Sequence, residues 1–264
     1  MAIQSVQRAI DILSLFSLSR PSLGISELSR LMGLPRATVH GLVRTLLENR
    51  LLQQDLDTRK YRLGFKVFEL GAIVGNTLDL NRKAAAPLYT LARRTRLDAR
   101  LAIWEGGTVL ITMGAGFRSQ AFFAEIGPRM PAYCSASGRI FLAHLPANEQ
   151  KDYIARTQFR GYTPFTMTDP TQLLRELAEA RARGYAVNRE ELGLGVIAFA
   201  APVLDRTGRV VAAVSLSTGP DPLPKDREKR VIDALVKGAM IISRELGYFP
   251  ENIGTGSPHQ PGES

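Results

Sequence analysis

The chain begins with apolar residues spaced three and four positions apart, which is the pattern of amphipathic helices. The first such stripe consists of Val6, Ala9, Ile10, Leu13 and Phe16. Ser26 can cap a short second helix over residues 27–32, and Gly33 can end it. Pro35 suits the start of a third helix, predicted over residues 36–48. The apolar side of the third helix is formed by Val39, Leu42, Val43 and Leu46.

A small hairpin is predicted directly after the third helix. Residues 51–55 and 60–63 can pair as two strands across a turn at Asp57 and Thr58. Two helices, a tight turn, a third helix and a hairpin are the elements of a winged helix-turn-helix, in that order. The pattern therefore predicts such a domain over residues 1–65.

The next segment is predicted to be helical and to need a partner. Residues 66–80 continue an apolar pattern, but Gly71 and Gly75 weaken an isolated helix, so it should gain stability by packing. A further helix is predicted over 81–96, where Pro87 either kinks the helix or marks its start. We place the domain boundary near residue 80, with 66–80 as a linker helix.

The rest of the chain alternates strand and helix patterns. Predicted strands cover 99–104, 108–113, 122–126, 185–188, 196–204 and 209–217. Predicted helices cover 135–145, 147–156, 171–183 and 225–246. Glu105-Gly106-Gly107 is typical of a hairpin turn, and 205–208 joins the last two strands. Strands joined by hairpins with inserted helices predict a mainly antiparallel α+β domain over 81–248. Residues 249–264, rich in Gly, Pro and Ser, are predicted to be a disordered tail.

Composition narrows the class of protein. The chain has 264 residues and a formal net charge of +9, which favours polyanionic partners without specifying one. One cysteine forbids an internal disulfide, and three histidines forbid a Cys- or His-rich metal cage. No apolar run reaches the roughly 20 residues of a membrane span. We expect a protein that is not membrane-bound, is cytoplasmic and carries no cofactor or metal.

The predicted third helix and hairpin carry the candidate DNA contacts. A helix-turn-helix places its second helix in the major groove, where basic and polar side chains reach base edges or phosphates. On the third helix the candidates are Arg36, Ala37, Thr38, His40, Gly41 and Arg44, and on the hairpin they are Arg59, Lys60 and Arg62. Gly41 either lets the backbone approach the duplex or is a tolerated surface glycine. A winged helix that contacts protein alone is the alternative reading, but nine basic against five acidic residues in 1–65 favour DNA.

Six stretches resemble the IclR family of bacterial transcriptional regulators. They are residues 4–13 (QSVQRAIDIL), 31–40 (LMGLPRATVH), 61–64 (YRLG), 138–143 (GRIFLA), 184–191 (GYAVNREE) and 211–217 (VAAVSLS). The resemblance implies a winged helix-turn-helix, a dimerising linker helix and a GAF-like effector-binding domain. It also implies homodimers, often paired into homotetramers, that bind double-stranded operator DNA near promoters as repressors or activators. The family commonly has Ser and Arg where this chain has Ala37 and Gly41, which puts the operator sequence in question but not the docking mode.

The same resemblance assigns an effector pocket. On the strand over 209–217, Ser215 and Ser217 share a face of small residues, and from the strand alone they read as solvated. The family pattern instead places them in the pocket, together with Ala136, Ser137, Asn188, Val196 and Ala198. Asn188 and Ala198 stand where a well-known pattern has Asp and Cys, so no negative charge there repels an acid. We therefore expect a small organic carboxylate, with an apolar or aromatic body as one form.

Three other patterns are weaker. Residues 193–198 fit a loose dinucleotide fingerprint, but a β-rich run rather than a helix follows them. Cys134 and His144 have no orienting acid nearby, and the adjacent Glu190 and Glu191 point apart on a strand or turn. An enzyme with a nucleic-acid-binding appendage would need a site that these residues do not supply. We therefore expect a regulator rather than an enzyme.

Overall fold

The structure is a computed structural model, and it describes residues 2–116, 128–219 and 223–250. Contacts divide the chain into two compact units, the first ending at Leu78 and the second beginning at Asp79. The strand predicted over 122–126 and nearly all of the predicted tail lie outside the described residues. Of the helices in the described ranges, none combines the length and the apolarity that crossing a membrane requires.

Unit 1 contains four helices and one hairpin among its described residues. In order they are α1 (Gln4–Ser14), α2 (Ile25–Met32), α3 (Arg36–Glu48), β1 (Leu52–Gln54), β2 (Tyr61–Leu63) and α4 (Phe65–Thr77). One core is formed by Ile12, Leu23, Leu28, Val39, Val43, Leu46, Leu52 and Tyr61. The stripe predicted on the first helix is only partly right: Ile12 is the buried residue of α1, whereas Val6 and Ile10 are 52% and 50% exposed. The apolar sides of three short helices are thus buried against each other and against the hairpin.

The start of α2 differs from the prediction. The helix begins at Ile25 with Gly24 as its N-cap, so the predicted Ser26 cap is wrong. The Gly24 N–H donates to a Glu27 carboxylate oxygen at 2.8 Å, and the Gly24 carbonyl accepts from the Leu28 N–H. A carboxylate three residues into a helix can reach back in this way and replace a hydroxyl cap. Gly33 ends the helix at φ +63°, as predicted.

The hairpin is shorter than predicted and is fixed at its base. β1 and β2 pair antiparallel with Leu52 opposite Leu63, and the loop between them is longer than a two-residue turn. At the base of the hairpin, next to the Leu52–Leu63 pair, the Gly64 N–H donates to the Leu51 carbonyl at 2.8 Å. A Cβ on Gly64 would lie 2.1 Å from the Arg50 carbonyl oxygen, so only glycine fits this close approach.

No residue of α4 is buried by the described residues of its own chain. Every residue of this helix is half-buried or exposed. Phe65 and Phe68 are each 75% exposed, and Ile73 is 59% exposed. An apolar helix that stays this exposed is unusual for an isolated chain, in line with the expectation that this segment needs a partner.

Among its described residues, unit 2 contains a six-stranded antiparallel sheet and helices. Its elements are α5 (Asp79–Thr95), β3 (Asp98–Glu105), β4 (Thr108–Ala115), β5 (Arg129–Met130), α6 (Ala136–His144), α7 (Ala147–Arg156), α8 (Pro170–Arg183), β6 (Ala186–Arg189), β7 (Ile197–Leu204), β8 (Val210–Ser217) and α9 (Lys225–Glu245). The strand order is β5-β4-β3-β8-β7-β6. The short β5 was not predicted, and Pro87 lies inside α5 rather than at its start.

The two faces of the sheet differ in chemistry. One face packs against α5 and α9 through a core that includes Leu101, Phe199, Val214 and Leu216. Because side chains alternate along a strand, the neighbouring positions on the same strands point to the opposite face, where α6 packs. Arg100, Asn188, Ser215 and Ser217 belong to this second set, so the α6 side of the sheet is polar and the α5/α9 side is apolar.

Candidate functional site

The exposed side of α3 forms the first candidate site. Arg36, Ala37, His40, Gly41 and Arg44 are exposed, and Thr38 is half-buried beside them. The opposite side of the helix is anchored in the core of unit 1 by Val39, Val43 and Leu46. Polar and cationic side chains therefore face outward on a helix whose apolar side fixes its orientation.

Arg44 of this helix is an exposed cation that pairs with a neighbouring carboxylate. Its Nε donates to Glu48 Oε1 at 2.9 Å, and the two side chains are 74% and 60% exposed. An exposed pair at this spacing contributes only a few tenths of a kcal/mol, about 0.3–0.5, so the side chain can exchange Glu48 for another anion at little cost. A Cβ on Gly41, one turn earlier, would meet nothing within 4 Å.

The hairpin loop is organised by one carboxylate. Asp55 Oδ1 accepts from the Thr58 N–H at 2.8 Å and from the Thr58 hydroxyl at 2.9 Å. These hydrogen bonds hold the pKa of Asp55 below its ordinary value. Arg59 follows in the left-handed region at φ +58°, and its side chain and that of Arg62 are exposed. The hairpin, which is the wing of this domain, thus presents two cations, Arg59 on its loop and Arg62 on β2.

Lys60 differs from Arg44 because its partner lies on another element of unit 1. Its Nζ lies 3.2 Å from Glu27 Oε2, the same carboxylate that caps α2. The Gly24 N–H and the Lys60 ammonium together hold the pKa of Glu27 below its ordinary value. Lys60 therefore joins the wing to α2, and this contact offers a structural role beside the predicted one.

The second candidate site is the α6 side of the sheet in unit 2, which we call the polar sheet face. Strand register brings Asp98, Ser217, Ala198 and Asn188 into one row across β3, β8, β7 and β6. The next row contains Arg100, Ser215, Ala200 and Ala186. Every polar member of the two rows is buried. The residues that the sequence assigned to a pocket on three separate strands are thus neighbours.

Arg100 is the cation of the polar sheet face, and sequence reasoning missed it. It is 4% exposed, donates from Nη1 to the Ser217 hydroxyl at 2.5 Å, and has Nη2 at 3.9 Å from Asp98. Burial lowers its pKa, an effect that Asp98 partly opposes. The signal in the sequence was an arginine between Ala99 and Leu101 in a mainly apolar strand.

The first turn of α6 lies over this face. The Ser135 side chain caps the helix by accepting from the Gly138 N–H at 3.2 Å, and Asn188 Nδ2 donates to the Cys134 carbonyl. A Cβ on Gly138 would lie 2.3 Å from Ala132, so this turn is packed closely on the preceding loop. Ser137 is 2% exposed, and its hydroxyl has no hydrogen-bond partner among the described residues.

A buried ion pair stabilises the other side of α6. Arg139 is 2% exposed, and its Nη2 lies 2.6 Å from Glu191 Oε2. The same guanidinium donates to the carbonyls of Tyr133 and Val187, at 3.1 Å and 2.8 Å. Arg139 therefore ties α6 to β6, and Glu191 is structural rather than part of a carboxylate dyad.

Comparison with known proteins places both units. Residues 5–56 match the IclR helix-turn-helix domain, and residues 73–244 match the bacterial transcriptional regulator IclR C-terminal domain. The second match alone spans more than half of the chain. The chain belongs to the IclR family of transcriptional regulators. Proteins of this family are not enzymes, and the resemblance read from the six sequence stretches is confirmed.

Full-length relatives agree with this assignment. The chain is 35% identical over 247 residues to the HTH-type transcriptional regulator XynR of Escherichia coli, covering 93% of this chain and 98% of XynR. It is 30% identical to KdgR of the same organism, covering 94% of each. A crystal structure of an IclR homologue from Microbacterium hydrocarbonoxydans, complexed with 4-hydroxybenzoate, matches with a TM-score of 0.80 at 25% identity, covering 92% of this chain and 99% of that one. The predicted α+β fold with an N-terminal helix-turn-helix is confirmed.

The structure groups most of the predicted effector residues of this IclR protein. Asn188, Ala198, Ser215 and Ser217 share the polar sheet face, and Ala136 and Ser137 begin the helix packed on it. Val196 lies just before the paired part of β7, with its N–H bonded to the Gly193 carbonyl.

The patterns set aside earlier also have structural explanations. Cys134 is fully buried, and burial raises the pKa of its thiol to about 12, so the thiolate that a nucleophile requires is not formed near neutral pH. His144 Nδ1 lies 2.8 Å from the Ile140 carbonyl of its own helix. The run 193–198 leads into β7 rather than into a helix, so it lacks the helix N-terminus of a dinucleotide site.

Proposed function

We propose that this protein is a sequence-specific DNA-binding regulator whose operator affinity is controlled by a small organic acid bound on the polar sheet face. The observation that carries the DNA part is the exposed side of α3, which presents Arg36, His40 and Arg44 opposite a fully buried apolar side. Such a helix fits the major groove, with its N-terminal residues toward base edges. The exposed Arg59 and Arg62 of the wing would contact phosphates or the minor groove.

The effector part is supported by the side chains that the polar sheet face brings together. A buried guanidinium, two buried serines and a buried asparagine lie beside a helix N-terminus, and the buried Asp98 of the same row lies 3.9 Å from the guanidinium. The N–H donors of the guanidinium, the asparagine and the helix N-terminus outnumber this one carboxylate and suit a carboxylate ligand. The 4-hydroxybenzoate complex of the Microbacterium homologue shows that a protein of this fold binds an aromatic acid. For the present chain we infer the class, an organic carboxylate, from the polar sheet face.

The DNA part is tested by a mobility shift on DNA fragments selected for binding from the region upstream of the gene. Arg44→Ala should weaken operator binding by about 1–3 kcal/mol and leave effector affinity unchanged, since the side chain is exposed on the proposed reading surface. Arg230→Ala is the matched control, because it removes one exposed arginine of unit 2 whose acidic partner, Asp226, is four residues away.

The outcomes separate the candidate functions. A salt-dependent shift lost in Arg44→Ala and kept in Arg230→Ala supports the proposal. Equal affinity of Arg44→Ala and the unsubstituted protein removes that residue from the contacts. No DNA binding by the unsubstituted protein at low salt would favour the alternative in which the winged helix contacts another protein.

We also infer that two copies associate through α4 and α1. Phe65, Phe68 and Ile73 on α4, with Val6 and Ile10 on α1, are each at least half exposed. Covering these side chains with the same surface of a second copy would remove a large apolar area from water and place two α3 helices on a two-fold operator. Phe68→Ser should shift the protein toward monomer in light scattering, whereas Tyr89→Ser on α5, also an exposed aromatic, should not.

A further inference from the structure

Arg100 is the cation of the polar sheet face whose position calls for a functional explanation. A guanidinium that is 4% exposed has lost most of its hydration, which costs several kcal/mol unless buried partners replace the water. Its contacts include the Ser217 hydroxyl, which accepts from Nη1 at 2.5 Å, and the Asp98 carboxylate, which lies 3.9 Å from Nη2. A guanidinium carries five N–H donors, so it can serve Ser217, Asp98 and a third, anionic group at once.

Ser137 gives an independent indication of a ligand. Its hydroxyl is buried, 2% of the residue being exposed, and it has no partner in the described part of the chain. A buried polar group without a partner is costly, and an absent ligand is one of the few explanations for it. Asn188 and Ser135 beside it do have partners, since Asn188 donates to the Cys134 carbonyl and Ser135 accepts from the Gly138 N–H.

The periodicities of helix and strand indicate that Ser137 lies on the side of α6 that faces the row of Arg100. Phe141, one helical turn after Ser137 and on the same side of α6, packs 5.9 Å from the ring of Trp104. Trp104 lies on β3 four residues after Arg100, on the same face of the sheet. At the other end, the contact between Asn188 and the Cys134 carbonyl ties the start of α6 to the row of Ser217. Ser137 therefore lies between these two fixed points, above β8 and β3.

We propose that Arg100 is the residue that binds the carboxylate of the effector, with the Ser137 hydroxyl and the first-turn N–H groups of α6 completing the anion site. The Ala136 and Ser137 amides belong to the first turn, where N–H groups have no intrahelical acceptor. Ala198, Ala200 and Ser215 line the neighbouring positions with small side chains, and the ligand body would lie against them. This inference rests on the effector part of the proposed function and assigns its specificity for acids to one side chain.

Calorimetry on the full-length protein tests the assignment. The probes are pyruvate, gluconate, benzoate and 4-hydroxybenzoate, each compared with its neutral amide. The unsubstituted protein should bind at least one acid and prefer it to the amide by about 10- to 100-fold, the range expected for losing a charge-assisted hydrogen bond. Arg100→Met, which keeps the length of the side chain but not its charge, should lose this preference. Arg129→Met, an exposed arginine of the same sheet, should keep it.

The outcomes test separately the role of Arg100, the class of ligand and the DNA part of the proposed function. If Arg100→Met binds the acid as tightly as the unsubstituted protein does, the role of Arg100 is overturned, while an effector site on this face stands. If no acid binds the unsubstituted protein, the ligand class and this inference are both wrong, and the DNA part is judged by the mobility shift alone. If Arg100→Met does not fold by circular dichroism, Arg100→Lys replaces it: acid binding about tenfold weaker and still acid-selective supports the role, and unchanged affinity overturns it.

Ser137→Ala provides a second readout of the same site. Removing a hydroxyl that lacks a protein partner should leave stability unchanged or raise it, because a buried unsatisfied group is removed. It should weaken the acid by about 3- to 10-fold if the hydroxyl contacts the ligand. Unchanged acid affinity in this variant would remove Ser137 from the anion site.

Discussion

Arg44 on α3 and Arg100 on β3 show how the two units use the same side chain differently. The Arg44 side chain is 74% exposed, and that of Arg100 is 5% exposed. An exposed, hydrated cation has little desolvation cost and can contact any large polyanion. The specificity of unit 1 would therefore come from the combined exposed side chains of α3 and the hairpin. A buried cation must have its partners built around it, and it admits only a ligand small enough to enter. The contrast agrees with our proposal that the exposed helix binds DNA and the enclosed sheet face binds a small metabolite.

Ion pairs repeat the contrast. Arg44 and Glu48 meet in solvent, whereas Arg139 and Glu191 are buried with side chains 2% and 7% exposed. Breaking an exposed pair costs little, but removing one partner of a buried pair leaves an uncompensated charge in the interior. The two pairs therefore provide a direct comparison of structural against solvated charge.

The largest expected effect is on the buried pair. Arg139→Met should destabilise unit 2 by about 3–5 kcal/mol, because Glu191 and the carbonyls of Tyr133 and Val187 lose their donor. Urea unfolding monitored by the fluorescence of Trp104, which lies in unit 2, measures this loss. Arg44→Ala is the control and should change stability by less than about 0.5 kcal/mol. Similar losses of stability in the two variants would contradict the expectation that the buried pair contributes more to stability than the exposed pair.

An intermediate effect is expected at Gly41. Because a Cβ there meets nothing within 4 Å, Gly41→Ala should stabilise unit 1 by about 1 kcal/mol through helix propensity. The same methyl group would occupy the surface that faces the duplex, so we expect weaker operator binding in the mobility shift. Thr45→Ala, whose hydroxyl bonds back to the Gly41 carbonyl, is the control and should leave DNA affinity near that of the unsubstituted protein. A stabilised Gly41→Ala with full DNA affinity would identify a tolerated surface glycine.

The smallest effect concerns Glu27, whose pKa is held below its ordinary 4.5 by the Gly24 N–H and Lys60. A carboxyl whose pKa is depressed in the folded state stabilises the protein above its ordinary pKa, and that contribution is lost as the pH falls through the folded value. Glu27→Gln should therefore lower the melting temperature at pH 7, and the difference should shrink as the pH falls below about 4. A difference that stays constant down to pH 3 would contradict this reason.

Local patterns predicted unit 1 well because its elements are short and punctuated. Gly33 and Pro35 bracket the turn between α2 and α3, and the helix predicted over residues 36–48 is the one observed. The error at Ser26 arose because either a hydroxyl or a carboxylate three residues into the helix can satisfy the first N–H groups, and sequence alone does not choose between them. The contact between Lys60 and Glu27 was equally out of reach, since it joins residues 33 positions apart.

The polar sheet face was only partly predictable. Alternation on the strand over 209–217 separated Ser215 and Ser217 from Val214 and Leu216, but it could not show which face is enclosed. Arg100 was missed because a lone arginine in a strand reads as an edge or surface residue until the register places it opposite Ser215. The orphaned Ser137 hydroxyl can be recognised only from coordinates. Which residues contact DNA or effector remains a prediction.

Gly64 constrains how unit 1 can move. Its backbone lies so close to the Arg50 carbonyl that no side chain fits, and the Lys66 N–H donates to that same carbonyl at 3.2 Å. The first turn of α4 is therefore fixed to the residues that follow α3, and this junction is unsuited to act as a hinge. We therefore expect a force applied along α4 to move α3 and the hairpin together rather than to bend the chain at this junction.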